Sequence, residues 1–495
     1  MSVTAKELMS LGFEQGPELG RALDYVNREG LSGEALSVWA ETHKPPPKVP
    51  LQDAPAYAFN LVAETEDEQD NVAKVRETMD VLMRTPTIRA GAVMPDACPA
   101  GPVGTIPVGG VVTAEKAIHP GMHSADICCS VMVTAFKDSA PKDVLDAVHA
   151  VTHFGPGGRK NGQRFTMSLK LLDAFRENRF LNDAKIIRAA QEHMGTQGDG
   201  NHFAFVGVSK ATGQTCLVTH HGSRGPGAGL YKLGMRAAEK WRKKLSPKTL
   251  KGNAWIPSDT AEGEAYWDAL QLIRKWTKAN HTAIHQAATE GCGGTIETRF
   301  WNEHNFVFKD GDMFHHAKGA TPVNPDFMPD NDGVQIVPLN MAEPVLLIRG
   351  GVTPNNLGFA PHGAGRNYSR TAHKRLMGGQ TDEAIFAAET AGLDARFFSG
   401  NIDVSELPSA YKPAATVRAQ MVQFDLAEVV DEITPYGCIM AGDWERDAPW
   451  RKKAAAKWAA RARESEPEKD AGLDRGNSGQ GKSGQGKRFG RKGRR

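Results

Sequence analysis

Asp126 and Cys129 stand three residues apart in Ser124-Ala125-Asp126-Ile127-Cys128-Cys129-Ser130, a short apolar run with Gly121 just upstream. The carboxylate is a hard oxygen donor and the thiol a soft sulfur donor, and a thiolate can bridge two divalent ions held close together. Mixed ligation of this kind suits zinc, manganese or iron better than calcium or magnesium. Taken alone, the stretch reads more simply as a buried cysteine in a strand with a turn aspartate before it. Histidines elsewhere in the chain tip that balance. Gly195-Thr196-Gln197-Gly198-Asp199-Gly200 delivers Asn201 and His202 to the mouth of the apolar strand Phe203-Ala204-Phe205-Val206. The strand Thr215 to Thr219 runs straight into His220-His221-Gly222-Ser223-Arg224-Gly225, again a strand end that presents histidine, then glycine, then an arginine suited to a phosphate fork. His304-Asn305-Phe306-Val307 opens a further strand, and Lys318-Gly319-Ala320-Thr321 follows it. Any one of these histidines on its own would be a hydrogen-bonded core imidazole. The repeated arrangement favours a site.

Pro361-His362-Gly363-Ala364-Gly365-Arg366 has a different character, with Arg370 a turn further on. Small neighbours let a bulky ligand approach His362, and two arginines bring positive charge within reach. An imidazole flanked by donors for phosphate oxygens is what attack on a nucleotide phosphorus requires. The competing reading is a helix N-terminal turn with surface arginines.

The elements that must position these residues follow from pattern. Residues 1–45 read as helical, with Leu8, Leu11, Leu19, Leu23 and Val26 on one face. Gly16-Pro17-Glu18-Leu19-Gly20-Arg21-Ala22-Leu23 resembles a motif of nucleotide-adding RNA enzymes but also reads as a plain amphipathic helix. Lys44-Pro45-Pro46-Pro47-Lys48-Val49-Pro50 is a stiff linker. We therefore expect an N-terminal extension over 1–50, a central domain over 55–445 and a charged segment over 446–495. In the centre, helices are expected over 67–82, 141–151, 260–290 and 383–399, and strands over 88–93, 131–134, 344–348 and 429–440. Strand-rich, glycine-punctuated sequence with peripheral helices makes an α+β fold whose strand ends converge on one cleft.

At 495 residues the chain is long enough for a sizeable core, and no apolar run approaches the roughly 20 residues of a bilayer span. The N-terminus lacks a secretory h-region, and six scattered cysteines read as reduced cytosolic thiols, so a cytoplasmic protein is expected. The formal net charge of +2 hides a basic end, Lys487-Arg488-Phe489-Gly490-Arg491-Lys492-Gly493-Arg494-Arg495, on a tail read as disordered. That end could bind phosphates without sequence preference, or only solubilise the chain.

Together, from about Asp67 to Gly442, the chain resembles the RtcB family of GTP- and manganese-dependent RNA ligases. The motifs that carry the resemblance are Met94-Pro95-Asp96, Asp126-Ile127-Cys128-Cys129, Gly200-Asn201-His202, His220 with Gly222-Ser223-Arg224-Gly225, His304-Asn305, Lys318-Gly319-Ala320-Thr321 and His362-Gly363-Ala364-Gly365-Arg366. The resemblance implies packed mixed and antiparallel sheets around a dimetal cleft. It implies that Asp126, Cys129 and His202 hold one manganese ion, or another divalent transition metal, and that Cys129, His220 and His304 hold a second. His362 would attack GTP and carry GMP to an RNA 3′-phosphate, itself formed by opening a 2′,3′-cyclic phosphate, before a 5′-hydroxyl seals the strand in RNA repair or tRNA splicing. Asn201, Gly363 and Gly365 would contact the nucleotide, and Lys318, Arg224 and Arg366 would handle phosphates. An archease-like activator or a release-factor-like RNA repair protein would be a partner of the same kind.

Three departures accompany the resemblance. Cys98 stands where the family has histidine. The family's nucleotide-holding Pro-Gly-Ser-Met-Gly segment is matched to Arg349-Gly350-Gly351-Val352-Thr353-Pro354. Met440 falls where the family has a lysine that contacts guanine. The altered base pocket keeps open a dimetal phosphodiesterase that opens cyclic phosphate ends without sealing them, and the basic tail keeps open a non-catalytic RNA-binding paralogue.

Overall fold

The longest helix, Ala261–Cys292, shows how local sequence sets the scaffold. Thr260 caps it by accepting from the Gly263 N–H, Glu262 and Glu264 favour the positive end of its dipole, and Gly293 closes it in the left-handed conformation at φ 64°. Tyr266, Ala269, Leu270, Ile273 and Trp276 recur at helical spacing and are fully buried in the main apolar core. The Trp276 indole N–H is satisfied by the Ala190 carbonyl at 3.0 Å. These features belong to a computed structural model that describes residues 2–159, 165–329 and 331–446. Beyond residue 446 the charged segment and its basic end lie outside the described residues.

The fold is mixed α+β, and two sheets carry it. The larger has the strand order Val334–Val337, Val345–Arg349, Glu428–Met440, Phe203–Ser209, Thr215–His221, Ser130–Phe136 and Ile296–Glu303, with Asp394–Phe397 added in parallel to Glu428–Met440. The smaller runs Ala58–Phe59, Ile88–Cys98, Val108–Glu115, Met313–Lys318, Asn305–Asp310. The chain passes from one sheet to the other at His304, between Glu303 and Asn305. The end of the larger sheet's Ser130 strand is tied there as well: the His304 N–H donates to the Cys129 carbonyl at 2.9 Å and the Cys128 N–H to the Asn305 carbonyl at 2.7 Å.

The N-terminal residues form three helices, Ala5–Ser10, Pro17–Arg28 and Gly33–His43, around an apolar cluster of their own that includes Leu8, Leu19, Val26 and Leu36. Thr4 and Glu7 close the first turn as a capping box. The Gly16-Pro17 motif starts the second helix, with Pro17 in its first turn, where its missing N–H costs nothing. In the proline-rich segment the Val49 N–H is bonded to the Leu245 carbonyl at 2.7 Å.

Two expected elements differ. The helix expected over 383–399 spans only Asp382–Glu389; Gly392, at φ 83°, turns the chain, and Asp394–Phe397 pairs as an edge strand, because neighbouring Glu428–Met440 offers backbone partners that a lone helix end lacks. The strand expected to stop at Val93 continues to Cys98, with a register shift between Val93 and Cys98 that absorbs Pro95. Among the described residues no helix is long and apolar enough to cross a membrane.

Replacing Trp276 by alanine removes a fully buried indole and its hydrogen bond, so Trp276→Ala is expected to lose about 3–5 kcal/mol in stability, read from urea denaturation. A loss below 1 kcal/mol, on the order of an exposed-surface change, would show that this helix does not anchor the core.

Candidate functional site

Four strand ends and one loop supply the cluster around Cys129. His202 precedes Phe203–Ser209, His220 lies near the end of Thr215–His221, Cys129 precedes Ser130–Phe136, and His304 sits in the crossing between sheets. The Asp126 loop that feeds Cys129 is strained, with Ser124 at φ 73° and Cys128 at φ 58°, both rarely adopted by residues with a Cβ. Gly222 makes room for it, since a Cβ there would stand 2.1 Å from Asp126 Oδ1.

Cys129 Sγ lies 3.1 Å from His220 Nε2 and 3.7 Å from His202 Nε2; His220 Nε2 lies 3.2 Å from His304 Nε2, and His202 Nε2 lies 3.1 Å from Asp126 Oδ2. Two groups of donor atoms result, Cys129 with His220 and His304, and Asp126 with Cys129 and His202, each within 4.8 Å of one another. The sulfur is common to both. His220 donates from Nδ1 to the Asn201 carbonyl at 3.0 Å, which fixes its tautomer and leaves the Nε2 lone pair aimed at the sulfur. His221, the alternative in the same motif, points elsewhere: its ring stacks on His281 at 3.4 Å.

Burial sets the protonation of this cluster. It pushes His220 down to about 3 and His304 well below the ordinary imidazole value, so both rings are neutral at pH 7. Burial, and then the Asp126 charge, push the Cys129 thiol well up. Burial also raises Asp126, but hydrogen bonds from His202 and Cys129 and the nearby histidine charges outweigh it and bring the carboxyl to about 2. Neutral imidazoles, a carboxylate and a thiol that would ionise only beside a cation form a donor set that fits transition-metal ions.

His362 faces the same cavity, with its ring centroid 4.8 Å from that of His304. Asp96, fully buried, accepts both from His362 Nδ1 at 2.6 Å and from its backbone N–H at 3.0 Å. The proton is thereby held on Nδ1, and Nε2 keeps its lone pair. Gly365 permits this contact: at φ 71° its position leaves only 2.0 Å between a built Cβ and the Asp96 carbonyl. Asp96 lies within the Met-Pro-Asp motif, but nothing in sequence spacing joins residue 96 to residue 362.

The cavity, about 410 Å³, brings together Asp126, Cys129, Asn201, His220, His304, Lys318, His362, Gly363, Gly365 and Arg366. His202 borders it through Cys129 and Asp126. Arg224 is placed differently. Its guanidinium donates to the Gly155 carbonyl at 2.8 Å and to Thr196 Oγ1 at 3.3 Å, holding the 155–157 turn rather than lining the cavity. Arg366 and Arg370 are both paired with buried Glu406, at 2.6 Å each, and the Tyr411 hydroxyl adds a third donor to that carboxylate, also at 2.6 Å. Lys318 donates to the Ile106 carbonyl at 2.9 Å, and burial lowers its pKa to about 8. Cys98 lines the cavity too, its thiol pushed up by burial.

The segment matched to 349–354 lies outside the cavity, because strand Val345–Arg349 carries its far end away from it. The lining is supplied instead by Pro338, Leu339, Asn340 and Met341. Their Pro-x-x-Met spacing is the signal that could have found them. Glu406, Tyr411 and the apolar wall described below carry no local motif.

A profile of the family described as tRNA-splicing ligase RtcB matches residues 173–441, more than half of the chain, including His202, His220, His304 and His362. The chain is 26% identical over 387 residues to the RNA-splicing ligase RtcB of Escherichia coli K12, covering 70% of this chain and 89% of that protein. It is 23% identical over 414 residues to the tRNA-splicing ligase RtcB of Aeropyrum pernix, covering 67% and 84%. Against the tRNA-splicing ligase RtcB of Pyrococcus abyssi it is 25% identical over 304 residues, which span 32% of that longer protein.

Because the sulfur belongs to both donor groups, Cys129→Ala is expected to abolish binding of both ions, whereas His202→Ala should keep one of the two. Metal content after manganese loading and desalting reads this directly. Two ions retained by folded Cys129→Ala protein would exclude the shared ligand.

Proposed function

Since the chain belongs to the RtcB family, we propose that it is an RNA ligase that joins 3′-phosphate or 2′,3′-cyclic phosphate ends to 5′-hydroxyl ends, using GTP and two manganese ions, in cytoplasmic RNA repair or tRNA splicing. The observation that carries this reading is the His362 ring. Its Nδ1 is engaged by Asp96, and its Nε2 is left for attack beside the two donor groups.

Asp126, Cys129 and His202 would hold one ion, and Cys129, His220 and His304 the other; when bound, they supply charge that neutralises phosphate oxygens. The chain's own residues do the rest. His362 Nε2 forms a bond to the α-phosphorus of GTP as the bond to the bridging oxygen breaks, and pyrophosphate leaves. Asp96 keeps the proton on Nδ1 and stabilises the positive ring that forms. Where the RNA end is cyclic, water opens it to a 3′-phosphate. An oxygen of that 3′-phosphate then takes GMP from His362, restoring the imidazole. Finally the 5′-hydroxyl oxygen attacks the activated phosphorus, GMP departs, and the strand is sealed. Asn201, Gly363 and Gly365 border the nucleotide, while Lys318 and Arg366 face its phosphates or those of RNA.

Incubation with GTP and manganese is expected to add one GMP to the wild-type chain and none to His362→Ala, as read by intact-protein mass spectrometry. An adduct that persists in His362→Ala would remove the mechanism. Lys318 gives a pH signature. Its amine is lowered to about 8, so it is mostly charged at pH 7 and mostly neutral at pH 9, and phosphate attraction fades as pH rises. The dissociation constant for nucleotide is expected to rise about tenfold over that range, and Lys318→Arg, which stays charged, should flatten the rise. An unchanged profile in Lys318→Arg would exclude Lys318 as the phosphate contact.

A further inference from the structure

Beyond the phosphate-handling end, the cavity continues over the face of the larger sheet, and its chemistry changes. His220, Phe203 and Met440 are direct cross-strand neighbours in register, as are Val218, Phe205 and Cys438 one row on. Adjacent strands lie about 4.8 Å apart, so Met440 is about 10 Å from His220, the reach of a nucleoside whose phosphate sits at the metal-ligand cluster. This wall is apolar: Phe203, Phe205, Met440 and Cys438 line it, and Met341 and Val345 pack in the same apolar cluster. Phe205, Met440 and Cys438 are almost fully buried, and none of them carries a strong hydrogen-bonding group for a polar ligand edge.

Guanine carries an N1–H and an exocyclic N2 amine on its pairing edge, and a guanine-selective site meets them with an acceptor, commonly a carboxylate. Among the described residues lining the cavity, the carboxylates are Asp126 and Glu406. Asp126 belongs to the donor cluster, and Glu406 already accepts from Arg366, Arg370 and Tyr411. Asn340, also in the lining, spends its side-chain oxygen on the Ala342 and Glu343 N–H groups at 2.9 and 3.1 Å. Met440 supplies no donor for guanine O6. A guanine set against this wall would bury donors that no free carboxylate accepts, whereas adenine has fewer polar groups to desolvate on that edge.

We propose that the base end of the cavity is an apolar slot that takes purine nucleoside triphosphates without selecting guanine, so that ATP serves as nucleotide donor to within tenfold of GTP. This rests on the ligase reading above and alters only which base the site accepts. A site that hydrogen-bonds its ligand rejects the wrong one by about 10⁴-fold or more, whereas an apolar pocket discriminates by about 10²-fold or less.

The test compares the wild-type full-length protein with ATP and GTP in the presence of manganese, by rate of covalent nucleotide adduct formation. In parallel, calorimetry measures the dissociation constants of the two analogues whose α,β-bridge cannot be cleaved. An ATP to GTP ratio above one tenth in kcat/KM and in affinity supports the proposal. A preference for GTP of tenfold or more in either measurement overturns it. If neither triphosphate forms an adduct, the ligase reading fails, and the ratio of dissociation constants still decides the base question. Binding of neither analogue overturns the slot. Met440→Lys, accepted only with an unchanged melting temperature, places a hydrogen-bond donor on the apolar wall that guanine O6 could meet, and is expected to shift the ratio at least tenfold toward GTP. No shift would mean that the base lies elsewhere.

Discussion

Everything in the cleft depends on where one buried sulfur is held. Cys129 lies just ahead of a central strand of the larger sheet, and its backbone is bonded to the residue at which the chain crosses into the smaller one. The hydrogen bonds from His304 to the Cys129 carbonyl and from Cys128 to the Asn305 carbonyl lock the two sheets together at the point where the sulfur and imidazole donor atoms converge. Positive φ at Ser124 and Cys128 is the conformational cost of that geometry, of order 1–3 kcal/mol per residue. It persists because the paired strands on both sides leave the loop no easier path.

His362 is fixed by a second tertiary contact, with the buried Asp96 carboxylate. Asp96 reaches His362 because the Ile88–Cys98 strand continues past Pro95, and because Gly365 allows the backbones to approach. One carboxylate oxygen holds both the backbone and the ring of His362, so position and tautomer are set together. Positive charge around the cavity is restrained rather than free. Glu406 gathers Arg366 and Arg370, and burial weakens the Lys318 ammonium. A polyanionic ligand therefore meets paired or attenuated cations, and its affinity depends on what else in the cleft supplies positive charge.

Chemistry changes across the sheet face within three strands. The row from His220 through Phe203 to Met440 passes from imidazole nitrogen to aromatic ring to thioether. The strand pleat sends alternate residues to one side, so the face that carries His220 also carries the apolar wall.

The sequence by itself determined the chemistry-bearing residues: short motifs named Asp126, Cys129, His202, His220, His304 and His362, and periodicity placed the helices 66–82, 141–151 and 261–292 to within a few residues. These are local signals, carried by residue type and spacing along a few turns or one strand. Tertiary structure alone decided that Asp96 anchors His362, that Glu406 claims both arginines, that Arg224 serves a turn, and that 338–341 rather than 349–354 lines the cavity. It also ended the expected 383–399 helix early, where a neighbouring strand offered better backbone partners. Each of these joins residues distant in the chain, and such pairings are set by sheet register and packing, which leave no periodic trace in sequence.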